Sequence, residues 1–243
     1  MNDGFQSEQG AENSRVLRNF SLALKWEILL IARYQIITMS VFIAATYAAI
    51  FYSLDLHYDD LIILTVFSDP VMMGFMFTGV LVLYDKNQNV LQAQLITPMN
   101  PAIKLAARGI ALTLLALLCS FGIAIAGKGL NFHYGMFTMA VVLSSILFYY
   151  IGIISLIGVS SFNGFLMKAV LYMMPFMIPM VELADIYTNP IFYLFPTKAI
   201  LVLFKASFTE VTVFNLTYAF LYLLILIPLI QFYAVKKYQK GDV

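Results

Sequence analysis

The sequence predicts an all-α membrane protein, and three observations carry that expectation. Of its 243 residues, 62% are hydrophobic and 11% charged, with a mean hydropathy of +0.88. Soluble domains hold roughly 45–50% apolar and about 25% charged residues. The apolar residues also fall in long runs, and a helix that crosses the hydrocarbon needs ~20 of them. Polar residues collect between the runs, where backbone groups that hydrocarbon cannot solvate meet water. A net charge of +1 gives no sign of a nucleic-acid partner, and the single cysteine, Cys119, can form no internal disulfide.

Residues 1–13 are mostly Asn, Asp, Gly, Gln, Ser and Glu and read as a disordered cytoplasmic tail. The first twenty residues contain no apolar leader, so the first span is expected to do the targeting. Asn13 or Ser14 can cap a helix over 14–33. On a helical wheel Leu17, Phe20, Leu24, Ile28 and Ile31 share one stripe, and Arg15, Arg18, Lys25 and Arg33 the other side, with Trp26 near them. That is a basic amphipathic helix suited to the headgroup plane; the alternative is a basic flank of the first span.

Spans are expected at 35–54, 62–84, 103–126, 135–157, 166–182 and 211–234. The fifth is short and holds Pro175 and Pro179, which bend a helix by freeing backbone groups. Residues 183–210 are apolar but broken by Pro190 and Pro196, and each unbroken piece is too short to cross. They read as an outer helical hairpin that dips into the bilayer and returns. A seventh span there would put the basic C-terminus outside. With the N-terminus inside, the inner segments and adjoining span ends hold Arg15, Arg18, Lys25, Arg33, Lys86, Lys104, Arg108, Lys168, Lys236, Lys237 and Lys240. The outer ones hold Lys128, Lys198 and Lys205, so both termini are expected in the cytoplasm.

One strongly polar run interrupts the spans. Asp85 to Pro101 carries Asp85 and Lys86, then Asn87, Gln88, Asn89, Gln92 and Gln94, then Pro98 and Pro101. It must lie in water or at the headgroups, and its residues up to Thr97 can form a short helix that the prolines end.

Other motifs are weaker. Gly122 to Gly129 approaches a phosphate-binding loop, but Gly129 stands where the loop needs Ser or Thr, and an apolar helix precedes it. The chain is therefore expected to have no nucleotide site and no cofactor of its own. Metalloprotease and serine-hydrolase signatures are absent, and His57 and His133 have no partner at ligand spacing, so neither a metal nor a catalytic site is expected. Asp69 lies inside the second apolar run and Glu182 at the end of the fifth; intramembrane acids are candidates for lining a path. For Asp69 the alternative is a helix cap before Pro70, and for Glu182 a pairing with Lys198 or Lys205. Ser144, Ser145, Gly152, Ser155 and Gly158 in and after the fourth span permit close helix approach.

Laid out in this order, the chain resembles an ABC transporter type-2 permease, the membrane subunit of a bacterial exporter, over nearly its whole length. The most specific part is Tyr84 to Gln92 followed by Thr97-Pro98: Asp85, Lys86, Leu91, Gln92, Thr97 and Pro98 match the family's pattern. Asn89 stands where the family has Gly, and Asp85 where it has a longer Glu. Asp69-Pro70, Ile191, Phe195 and Pro196 resemble the drug-export, fluoroquinolone-type branch. The resemblance implies a bacterial inner-membrane protein. It also implies a second permease subunit, identical or not, and a separate ATPase subunit that binds ATP and Mg. That ATPase would dock on the coupling segment of Asp85, Lys86, Gln88, Leu91, Gln92, Thr97 and Pro98. An amphipathic substrate (a drug, lipid or peptide) would then be moved outward. A second class stays open, an ion-coupled carrier or channel without a motor, in which Asp69 or Glu182 titrates during transport. A third is an intramembrane enzyme or an assembly factor.

Overall fold

In a computed structural model, residues 2–88, 101–183 and 187–240 are described. Every regular element among them is helical. Helix α1 runs Asn2–Arg33, α2 Ile36–Ser53, α3 Asp59–Val66 and α4 Met72–Asn87, with a π turn, Phe67–Val71, joining α3 to α4. Then follow α5 Pro101–Lys128, α6 Tyr134–Ser155 and α7 Phe162–Met177. Two 3-10 turns, Ile178–Glu182 and Pro190–Leu194, precede α8 Pro196–Phe208 and α9 Val213–Gln239.

Six stretches are long and apolar enough to cross a membrane: Ile36–Ser53, Asp59–Asn87, Pro101–Lys128, Tyr134–Ser155, Phe162–Glu182 and Val213–Gln239. These are the six expected spans, with later or earlier ends. The second starts at Asp59 rather than residue 62 and runs through Asp69-Pro70 without a break. Asp69 therefore caps nothing: Val66, Phe67 and Met72 keep right-handed helical backbone, and no side-chain cap bond forms. Proline at 70 lacks the N–H that a regular turn needs, and widening the turn to π geometry accommodates it.

Helix α1 also departs from expectation. It begins at Asn2, where the sequence reads as a disordered tail up to residue 13, and passes the expected cap at Asn13 or Ser14. No proline interrupts residues 2–33. A nucleated helix extends at little cost per residue. Its buried line is Ala23, Glu27 and Ile31, whereas Leu17 and Ile28 of the expected stripe are exposed. The chain leaves α1 at Gln35, whose left-handed φ of 58° turns it into α2.

The core sits between α4, α5, α6 and α8. The α4–α6 contact is close because α6 is notched at Gly152. A methyl at Gly152 would lie 3.0 Å from the Phe75 carbonyl oxygen, and one at Gly79 would collide with Phe165 of α7. The buried serines Ser144 and Ser155 return their hydroxyls to their own helix, at Ala140 and Gly152. Helix α8 has 13 residues. At ~1.5 Å each it is about 20 Å long, short of the ~30 Å hydrocarbon core.

Candidate functional site

Four charged side chains meet where α4 ends and α5 begins. Arg108 of α5 donates from Nε to Glu27 Oε2 of α1 at 2.7 Å and from Nη2 to Glu27 Oε1 at 3.2 Å. The same Nη2 donates to Asp85 Oδ2 of α4 at 2.8 Å. Lys104, one turn before Arg108, donates to that oxygen at 3.1 Å. Arg108 is 1% exposed, and Glu27 and Asp85 are 4% each. Two cations and two carboxylates balance, which is how buried charge persists without neutralising.

Each member is placed by its helix. Lys104 and Arg108 are four residues apart and share one face of α5. Glu27 follows Ala23 by one turn, and the small Ala23 lets α1 approach α5. Tyr149 of α6 closes the cluster from below, donating its hydroxyl to the Leu105 carbonyl at 2.7 Å. Gly109 makes room for that ring: a methyl there would sit 2.9 Å from Tyr149 Cε1.

Lys86 turns the other way. Its Nζ donates to the Val159 carbonyl at 2.8 Å, beside Lys168, which donates to Ile157 at 2.5 Å. The two ammonium groups satisfy carbonyls just past the C-terminal end of α6, where the helix dipole favours positive charge. Gly158, with φ 67°, makes the left-handed turn there. Adjacent residues at the end of α4 thus bind in two directions, Asp85 to α5 and Lys86 to the α6–α7 turn.

Of the sequence-predicted coupling residues, Asp85 is ion-paired inside the chain and Lys86 is bonded to the Val159 carbonyl while partly exposed. Gln88 lines a cleft of about 360 Å³ with Trp26, Arg33, Tyr34 and Lys104, above the buried cluster. Leu91, Gln92, Thr97 and Pro98 lie outside the described residues. Glu182 pairs with Lys198, the alternative the sequence left open, so the 3-10 turn after α7 is tied to α8. Asp69 has no hydrogen bond or ion pair among the described residues. Sequence reasoning missed Glu27 and treated Arg108 only as a basic flank. An arginine inside an apolar run and a lone acid in a basic helix were the available signals, since such charges require partners.

At the opposite end of the bundle Lys128 pairs with Asp59 at 2.5 Å and Lys205 with Asp60 at 3.7 Å. Lys104 and Lys128 both lie on α5. At ~1.5 Å per residue they stand about 36 Å apart, so the two charged layers bracket a hydrocarbon thickness.

Six apolar helical spans, with charge gathered at the two ends of the bundle and one buried ionic knot at the root of a connection, define a multi-pass membrane protein. The family model for the fluoroquinolones export permease protein family matches residues 18–241, and the chain belongs to that family. Among curated proteins it is similar to two from Mycobacterium tuberculosis, strains CDC 1551 / Oshkosh and ATCC 25618 / H37Rv. Each is named a fluoroquinolones export permease protein and is 28% identical over 145 residues, 59% of this chain and 61% of the relative. The match thus spans about three-fifths of those relatives' length. No solved structure matches.

Proposed function

We propose that this chain is the membrane-spanning subunit of an ATP-driven ABC exporter that moves amphipathic molecules outward, with ATP and Mg held by a separate ATPase subunit. The observation that carries this is the paired commitment of Asp85 and Lys86. A partner that displaces the segment after α4 pulls on α1 and α5 through Arg108, and on the α6–α7 turn through Val159. A rigid, ion-paired root transmits a push, whereas a flexible loop would absorb it. The docking contacts themselves then fall to the residues beyond Gln88, including Leu91, Gln92, Thr97 and Pro98. Two such permease subunits would face each other around the path.

The test is uptake of a fluorescent amphipathic dye into inverted membrane vesicles that carry the chain with its ATPase. Uptake should require ATP and vanish with a hydrolysis-dead ATPase. Uptake that needs no ATPase, or that follows a proton or sodium gradient, overturns the proposal in favour of an ion-coupled carrier.

A further inference from the structure

Among the described residues, Asp69 is the one acid within the six spans that no ion pair holds. It lies in the π turn Phe67–Val71, inside the membrane-length stretch Asp59–Asn87. At ~1.5 Å per residue it is about 15 Å from the Asp59 end of a helix about 43 Å long, well within the hydrocarbon. Its side chain is partly buried, and it has no hydrogen-bond or ion-pair partner among the described residues. The other membrane-embedded or membrane-edge acids, Glu27, Asp59, Asp85 and Glu182, are each paired with a cation. An ionised carboxylate at this depth is costly without a counter-charge.

A second observation lies beside it. Between α2, α4 and α5 is a cavity of about 10 Å³ lined by Ser40, Pro70, Met73, Gly74 and Cys119. Pro70 is the residue after Asp69, and Met73, four residues on and so on the same side of the helix as Asp69, lines the same wall. Ser40 is 3% exposed, and its hydroxyl, at the cavity wall, has no hydrogen-bond partner. A buried hydroxyl without a partner is expensive, and such groups call for an explanation. The space is about that of one water, which is also the size of an ammonium head.

We propose that Asp69, the Ser40 hydroxyl and this cavity form an intramembrane site for the protonated amine of an amphipathic substrate. The ammonium donates to the Asp69 carboxylate and to Ser40 Oγ, while the apolar body lies along the flank of α2 beside Ser40, where Met39 is 59% exposed. The π turn serves this arrangement, because widening one turn re-aims the carboxylate from the regular helical position. The proposal rests on the export reading for its physiological meaning, but its binding step does not need the ATPase.

The full chain in lipid nanodiscs is treated with a hydrophobic carbodiimide, and modification of Asp69 is followed by peptide mass spectrometry. Octylammonium should slow that modification at least fivefold, and octanol, brought to the same membrane concentration, by less than twofold. Equal protection by both, or by neither, overturns the proposal; the latter is also the outcome if a second copy of the chain supplies the counter-charge. In vesicles carrying the ATPase, Asp69→Asn should lower uptake of an amphipathic amine about tenfold and spare an uncharged amphipath, with Asp69→Glu restoring amine uptake. Loss of both substrates, or of neither, counts against the site. Wild-type vesicles that transport nothing count against the export reading, and the labelling result still decides the site.

Discussion

Arg108 and Glu27 are 81 residues apart in sequence and joined by two hydrogen bonds, 2.7 and 3.2 Å, in a site almost closed to solvent. This fork is what fixes α1 to α5. The lower half of α1 otherwise offers only Ala23, Ile31 and half-buried Leu24 and Leu30 to the bundle. Arg108 also holds Asp85, so one guanidinium joins three helices.

Removing the hub should therefore be worse than removing a spoke. Arg108→Met leaves Glu27 buried without a cation and Asp85 with Lys104 alone, and breaking a buried pair by deleting one partner costs about 3–5 kcal/mol. Thermal unfolding in detergent should show a loss of that order. The double change Arg108→Met, Glu27→Gln should regain most of it, because Asp85 keeps Lys104 and no charge is then stranded. Arg108→Lys should fall between, since an ammonium cannot reproduce the planar fork.

The opposite end of the bundle should behave differently. Lys128 and Asp59 have side chains 27% and 23% exposed. Exposed and half-exposed pairs are worth at most about 1 kcal/mol and are screened by salt. Asp59→Asn should shift the unfolding temperature slightly at low ionic strength and not at all in molar salt, whereas the Arg108→Met deficit should persist in both.

The six spans and their order were legible because a hydrocarbon solvent imposes a length and a composition that no tertiary contact can override. The site was legible only in part. Asp85 and Lys86 stood out as polar residues after an apolar run, but their partners come from helices far along the chain, and no local pattern states which of two lysines or arginines a carboxylate meets. The wheel of α1 misplaced the buried face for a related reason. It sorted residues by hydrophobicity, while the packed line is set by the small Ala23 and by a glutamate that is buried because it is paired. Asp69 looked like a cap because Ser-Asp-Pro is a good helix start, yet the preceding residues 59–66 are themselves helical and the π turn lets the helix pass through.

The glycines separate tight contacts from free ones. At Gly79 a methyl would meet Phe165 Cζ at 2.0 Å, and at Gly152 it would press on backbone at 3.0 Å. Overpacking of this kind costs about 1–3 kcal/mol. Gly122, inside α5, has nothing within 4 Å of the same position, and replacing a helical glycine by alanine favours the helix by about 1 kcal/mol. Gly79→Ala and Gly152→Ala should lower the unfolding temperature and Gly122→Ala should raise it, all in one detergent assay.

Lys86 offers the sharpest separation of structure from mechanism. Its Nζ–Val159 contact is partly exposed, and a hydrogen bond to a charged group is worth about 1.5–3 kcal/mol before solvent screening, so Lys86→Met should unfold only slightly earlier than the parent. Asp85 remains on Arg108 in this variant, so the pull on α1 and α5 survives while the pull on the α6–α7 turn is lost. If the root of α4 drives both sides of the bundle, the assembled complex should still hydrolyse ATP but move several-fold less dye per ATP. Lys86→Arg, which keeps a donor within reach of Val159, should recover the ratio. An unchanged ratio in Lys86→Met would reduce this contact to a cap on the end of α6 and leave Arg108 as the sole route by which movement leaves the α4 end.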